Sequence, residues 1–264
     1  MQFDVKGLVL RETAVGENDC WLDVRTSESG RMSVYARGVR RYKSRNRDAT
    51  LPLSYSVFTL QKDKPDFIVM REASRIESFN SMGDLVKNAL AMYAAELLCE
   101  FALPDQPDPA LMRLALNTLY ALIHGKYPPA QIKSAFELRL MADQGFAPDL
   151  SGCASCGASD TDDIFLDVMN GALVCGPCLK KREETAGADV PREDDGTAAV
   201  LVPASRTAVS AMKYIVSVPL ERLFSFRIPD GAMAELASLT EKFLLHHLER
   251  GFVTLDFYKQ VNRL

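Results

Sequence analysis

Between Phe3 and Phe79 apolar residues alternate with polar ones in short runs, separated by polar or Gly-bearing turns, which is the period of half-buried strands. Five strands fit: about Phe3 to Thr13, Asp19 to Thr26, Arg31 to Arg37, Leu53 to Gln61 and Phe67 to Ala73. The second places Cys20, Leu22 and Val24 on one face and Trp21, Asp23 and Arg25 on the other. The third sends Met32, Val34 and Ala36 one way and Ser33, Tyr35 and Arg37 the other, so its outer face is aromatic and basic. Turns are expected at Glu28-Ser29-Gly30 and across residues 62–66. A five-stranded unit of about 80 residues has the size of an OB-fold, whose sheet closes into a small barrel.

After Ser81 the period lengthens to that of helices. Leu85, Val86, Ala89, Leu90, Tyr93, Leu97, Leu98 and Phe101 form one apolar stripe that ends before Pro104. Pro107-Asp108-Pro109 caps a second helix running to about Ile123, and Tyr127-Pro128-Pro129 breaks it. A third spans about Ala130 to Gln144 and stops at Gly145. Residues 180–199 are polar and small and are expected to be a mobile loop. Helical periodicity returns over Ser205 to Val216 and Gly231 to Arg250. The expected chain is therefore α+β and multidomain: a barrel over 1–80, helices over 81–150, a cysteine segment over 151–180, and a polar loop with closing helices over 181–264.

A length of 264 residues, 47% of them hydrophobic, suits one to three small globular domains. The most apolar run, Ala89 to Leu103, is interrupted by Glu96 and Glu100, so no membrane helix is expected. Asp4, Lys6, Arg11 and Glu12 deny the N-terminus a continuous apolar core, which argues against secretion and for the cytoplasm. In a reducing compartment, cysteines in tight pairs point to metal before disulfides.

Cys153, Cys156, Cys175 and Cys178 give the spacing C-x2-C-x18-C-x2-C. Two such knuckles, closed on each other by the loop between them, supply the tetrahedral thiolate shell that zinc accepts. Four thiolates leave no position for water, so one structural zinc is expected and a zinc enzyme is disfavoured. Gly157 and Gly176 stand where the knuckles turn. A redox pair would sit at the start of a helix after a strand, and an iron–sulfur site has its own spacing; neither context is evident. Cys20 and Cys99 fall among apolar residues and read as small core residues.

The net charge of −4 conceals an asymmetry. Residues 1–80 hold 14 Lys and Arg against 11 Asp and Glu, and the remainder holds 17 against 24. Arg31, Arg37, Arg40, Arg41, Lys43, Arg45 and Arg47 share a 17-residue window without any acidic residue. Single strands are held by aromatics that stack on bases and cations that track phosphates. Tyr35, Arg37, Arg40, Arg41, Tyr42, Lys43, Arg45 and Arg47 are accordingly the candidate DNA-binding residues. Trp21 and Phe58 are weaker stacking candidates, because a lone Trp in a small barrel is at least as often core. Five cations on phosphate would give a log–log salt slope of about −3.5. His124, His246 and His247 lie in no ligand or nucleophile motif, and no phosphate-binding loop or hydrolase signature occurs, so a binding protein is expected and not an enzyme.

The order of these parts resembles a known family. Arg37-Gly38-Val39-Arg40-Arg41-Tyr42-Lys43-Ser44-Arg45, then Leu51-Pro52-Leu53, then Phe136-Glu137-Leu138-Arg139-Leu140 leading through Gly145-Phe146-Ala147-Pro148-Asp149-Leu150 into Cys153, is similar to the bacterial RecO family across nearly the whole chain. The resemblance implies a mediator of recombination and repair in the RecF pathway. Such a protein binds single- and double-stranded DNA, anneals single strands, and helps load RecA onto strands coated with single-strand-binding protein. It also implies two protein partners: RecR at the barrel, and the acidic, apolar C-terminal tail of single-strand-binding protein at the helical domain. No short motif marks the pocket for that tail; Arg113, Lys133 and Arg139 are cations available to edge it. The competing reading is an RNA-binding or ribosome-associated protein built from an OB-fold and a zinc ribbon, because no motif reports on a 2′-hydroxyl.

Overall fold

Inward-facing Leu22, Val24, Val34, Phe58, Leu60 and Met70 bring five strands around one apolar core. The computed structural model describes residues 2–64, 67–80, 83–101, 103–159, 161–186 and 200–263. Strands β1 (Gln2–Val15), β2 (Asp19–Thr26), β3 (Gly30–Ala36), β4 (Ser54–Lys64) and β5 (Phe67–Ser78) close in the order β1-β2-β3-β5-β4. All neighbours are antiparallel except β3 and β5, which pair in parallel at Val34↔Ile68 and Tyr35↔Val69. This is the OB-fold barrel that the alternation predicts.

β1 belongs to both sides of the closure. Its first half pairs with β4, from Gln2↔Gln61 to Leu8↔Tyr55, and its second half pairs with β2, from Gly7↔Thr26 to Val15↔Asp19. A register shift between Val9 and Arg11 bends the strand there. Strict alternation fails at that bend: Leu8, Val9 and Leu10 are buried in succession. Gly7 is required where the strands crowd, since a Cβ would run into the Val24 side chain.

Between β3 and β4 the chain makes a single helical turn, α1 (Arg47–Thr50), that inserts Ala49 into the barrel core. The Ser54 and Ser56 hydroxyls donate to the carbonyls of Asp48 and Ala49, tying that turn to β4.

The chain divides into two compact units, one of Met1–Pro129 and Phe252–Leu264, the other of Ala130–Gly251. Besides the barrel, the first holds α2 (Leu85–Phe101), α3 (Pro109–His124) and α8 (Val253–Val261). α2 packs on β1 and on α8, and the Tyr93 and Phe252 rings meet edge to face. Asp108 caps α3, its carboxylate accepting from the Leu111 amide at 2.8 Å with Pro109 in the first turn, as the sequence suggests.

The second unit is built around α4 (Pro129–Asp143), which is buried along most of its length. Its polar residues are therefore satisfied internally. Lys133 pairs with Glu137 at 2.7 Å and Glu241 at 2.9 Å, Thr240 donates to Glu137, and Gln131 donates to the carbonyls of Phe224 and Phe226. Arg139 donates to Asp143 and to the Val218 carbonyl. Lys133 and Arg139, available cations by sequence, are committed to these contacts.

A four-stranded sheet follows, β6 (Asp149–Cys153), β7 (Ile164–Asp167), β8 (Ala172–Cys175) and β9 (Leu201–Pro203), in the order β6-β8-β7-β9. Then come α5 (Gly176–Ala186), α6 (Arg206–Ser217), a 3-10 turn at Leu220–Arg222 and α7 (Asp230–Leu248). Two expectations change here. Residues 180–186 are helical, continuing α5, while 187–199 lie outside the described residues. The three- to five-residue strands are too short to declare a period, and α8 is a single amphipathic stretch of nine residues. No described helix is long and apolar enough to cross a membrane.

Candidate nucleic-acid interface and metal centre

The chain from Arg37 to Asn46 leaves β3 through consecutive turns pinned at a few points. Val39 is buried in the barrel core, and the Arg40 amide donates to the Asn18 carbonyl at 2.9 Å. Gly38 takes φ +65°, a left-handed conformation, and its amide donates to the Asp19 carboxylate at 2.7 Å. The remaining residues are held outward. Arg37, Arg41, Lys43 and Arg45 are exposed, and Tyr42 is 101% exposed, with nothing to pack against.

The window has no acidic residue in sequence, but the fold brings one to it. Glu12 of β1 lies between Arg40 at 3.3 Å and Arg47 at 3.0 Å. Two of the eight candidate residues are thus held in ion pairs, whereas Arg37, Arg41, Lys43 and Arg45 have no carboxylate within the 4.0 Å of an ion pair among the described residues.

Tyr35 lies half-buried on the outer face of β3, and its hydroxyl donates to Asp19 at 2.5 Å. That bond, with the Gly38 amide, holds the Asp19 carboxyl below the usual carboxylate range and pushes the Tyr35 phenol up. Trp21 is the cross-strand partner of Tyr35, their centroids 5.2 Å apart, and Phe67 reaches both rings at 5.7 Å. Phe58 is fully buried, which removes it as a stacking residue. Sequence reasoning missed Glu12, Asp19 and Phe67; Phe67 was legible as the outward residue beside inward Ile68, the other two only from strand pairing.

The four cysteines Cys153, Cys156, Cys175 and Cys178 converge, with all four Sγ atoms within 4.8 Å of one another. Zinc–sulfur bonds of about 2.3 Å place the corners of a regular tetrahedron about 3.8 Å apart. Cys156 and Cys175 already stand at 3.7 Å, so the donor set fits zinc. The first knuckle closes through the Gly157 amide on the Cys153 carbonyl at 2.7 Å and the Cys153 amide on the Ala158 carbonyl at 2.8 Å. Gly157 turns at φ +75°. Gly152 is equally constrained, because a Cβ there would press on the Gly157 and Ala158 carbonyls. Gly176 does not turn at positive φ; its place beside the Asp163 carboxylate leaves no room for a Cβ.

Burial pushes the Cys153 thiol up, but amides of Cys175, Ser155 and Cys156 pull it down to about 6, the first at 3.3 Å. Contacts with Cys175 and Cys156 push Cys178 up to about 12. The amides favour a thiolate at Cys153, and protons still held by the cluster leave as metal binds. Cys175 ends β8 and Cys178 lies in the first turn of α5, so the strand-then-helix setting of a redox pair is present after all. The approach of Cys153 and Cys156 makes it a four-thiol site. Cys20 and Cys99 lie apart, and burial pushes both thiols up to about 11.

Comparison with known proteins agrees with both halves. Residues 1–79 match the family described as "Recombination protein O N terminal" and residues 82–191 the one described as "Recombination protein O C terminal". The DNA repair protein RecO of Acetivibrio thermocellus is 30% identical over 259 residues, covering 98% of this chain and 96% of its own. That of Desulforudis audaxviator is 31% identical over 262 residues, covering 98% and 97%. The RecO of Anaeromyxobacter dehalogenans strain 2CP-C is 31% identical over 261 residues, covering 98% and 96%. Matched by both family models over residues 1–79 and 82–191 and by relatives of 30% identity or more along nearly its whole length, this protein belongs to the RecO family of DNA repair proteins.

Proposed function

We propose that this chain is a non-enzymatic mediator of the RecF pathway, acting in the cytoplasm at the nucleoid, that binds and anneals single-stranded DNA. The barrel, residues 1–80, carries DNA binding through Tyr35, Arg37, Arg40, Arg41, Tyr42, Lys43, Arg45 and Arg47, and takes duplex as well through the same phosphate contacts. The observation that carries this reading is the group of exposed cations Arg37, Arg41, Lys43 and Arg45, on one pinned loop beside an aromatic barrel face. Annealing needs two strands held by their backbones with bases free to search, and exposed surface cations supply that without hydrolysis. One zinc on Cys153, Cys156, Cys175 and Cys178 closes the segment 151–180 and takes no part in annealing. RecR, RecA and the tail of single-strand-binding protein are the expected partners.

The test mixes two complementary fluorescent strands, bare or coated with single-strand-binding protein, without ATP, and follows duplex formation against salt. Acceleration of both, fading with salt, is the expected outcome. Binding without acceleration, together with preference for a matched RNA strand in competition, would move the assignment to an RNA-binding protein.

A further inference from the structure

The loop accounts for phosphate, which every nucleic acid has; the neighbouring face bears on what distinguishes an unpaired strand. On the outside of the barrel three aromatic rings from three strands form one cluster: Trp21 on β2, Tyr35 on β3 and Phe67 at the start of β5. Trp21 meets Tyr35 at 63° and Phe67 at 84°, while Tyr35 and Phe67 are tilted by 34°. All three are half-buried. The barrel does not need them inside, since its core is filled by the opposite faces of the same strands. Inert outward positions on such strands would carry polar residues, as Ser33 does beside them.

The cluster is also tied to the basic loop. Asp19 receives the Tyr35 hydroxyl at 2.5 Å on one oxygen and the Gly38 amide at 2.7 Å on the other. A single carboxylate therefore fixes the ring in register with the point where Arg37, Arg41 and the rest of the loop depart. Anchoring of this kind keeps a fixed offset between a surface for bases and a row of cations for the backbone. Exposed positive charge beside half-buried, outward-facing rings complements a polyanion whose bases are unpaired, because duplex offers phosphates but no open base faces.

We propose that Trp21, Tyr35 and Phe67 form a nucleobase-stacking subsite, with Asp19 the positioning residue that aligns it to the phosphate-binding loop. This rests on the reading that the barrel binds single-stranded DNA. The subsite makes affinity depend on bases, tolerates any sequence, and favours single strands over duplex.

Trp21 is the sole tryptophan in the chain, so its fluorescence reports on the subsite directly. The full-length, zinc-loaded protein is titrated with an oligothymidylate and with an abasic strand of equal length, reading Trp21 emission and the anisotropy of an end label together. The thymidylate should quench Trp21 and bind about tenfold or more tightly than the abasic strand, which should bind without quenching. Phe67→Ala should bring thymidylate affinity down toward the abasic value while leaving abasic affinity unchanged, with melting temperature measured alongside. Asp19→Asn should weaken the preference for bases in the same way, and Tyr35→Phe, which keeps the ring, should act through the same lost tether. Equal affinity of the two strands, or a Phe67→Ala protein that melts lower yet keeps the full base preference, would overturn the subsite and leave the loop reading intact. Absence of anisotropy change with either strand would overturn both.

Discussion

Arg47 donates through one Nη1 to both oxygens of Glu12, at 3.0 and 3.2 Å, across 35 residues of sequence. The Arg40 Nε stands 3.3 Å from the same Glu12 Oε1. Glu12 therefore pairs with both cations, and the phosphate contacts proposed for Arg40 and Arg47 would have to displace it. Glu12→Gln should tighten single-strand binding at low salt and steepen the salt slope by up to about 1.4, the contribution of two cations. Anisotropy titrations over a salt series measure both; unchanged affinity together with an unchanged slope would mean that Arg40 and Arg47 never reach phosphate.

The remaining cations should behave differently from this pair. Charge reversal at Arg41, Lys43 or Arg45 should flatten the slope by about 0.7 per residue with little change in melting temperature, because their side chains make no ion pair among the described residues. Arg40→Glu, by contrast, sets a carboxylate against Glu12 and should lower melting temperature as well. Thermal melts beside binding isotherms separate the two classes.

Elemental analysis should find about one zinc per chain. Chelation should release it and expose four thiols to a disulfide reagent, while Cys99, half-buried, reacts more slowly and Cys20, fully buried, only on unfolding, both thiols being pushed up to about 11 by burial. Cys175→Ser should fold poorly, and Gly152→Ala should loosen metal by moving the Gly157 and Ala158 carbonyls. Metal-free protein with unaltered melting would contradict the structural role.

Arg25 is buried on the barrel side of α3, where it donates to the Asp108 carbonyl at 3.2 Å while its Nε has no hydrogen-bond partner among the described residues. The Asp108 carboxylate stands 3.7 Å away and caps α3. Buried charge with incomplete bonding is replaceable by an apolar side chain of similar length, so Arg25→Met should be neutral or stabilising. Asp108→Ala removes the cap and strands the guanidinium; it should cost about 2 kcal/mol or more in denaturant melts.

The Asp19 carboxyl is held below its ordinary value of 3.8 by the Tyr35 hydroxyl and the Gly38 amide. A lowered folded-state pKa means that the tether stabilises the fold above the unfolded value and loses that contribution as pH falls through the folded one. The melting difference between the native protein and Asp19→Asn should accordingly be full near about pH 7 and shrink on acidification toward about pH 3. A difference independent of pH would assign the tether no electrostatic part.

Strands 19–26 and 67 onward, the α3 cap at Asp108, and the stop of α4 at Gly145 were legible because each depends on near neighbours in sequence. The four cysteines were legible for the same reason, through spacing. What sequence could not supply was the company each residue keeps across strands. Glu12 and Asp19 are unremarkable in sequence, and only the register of β1 on β2 and of β2 on β3 brings them to the basic loop. Lys133 and Arg139 mislead in the opposite direction: both read as surface cations, yet α4 is so enclosed that their charge is spent on Glu137, Glu241, Asp143 and a carbonyl.

β4 returns to β1, and β3 meets β5 only at Val34↔Ile68 and Tyr35↔Val69, so the barrel closes through a short parallel contact, beside which the Arg31 amide donates to the Leu103 carbonyl at 3.1 Å. A ligand on the outer face of β2 and β3 meets side chains, since the main-chain groups between these two strands bond to each other from Cys20↔Ala36 to Thr26↔Gly30. Recognition of that kind is modular. Each contact can be altered by a single substitution without shifting the register of its neighbours, so the outer surface can change while the five strands beneath it stay in place.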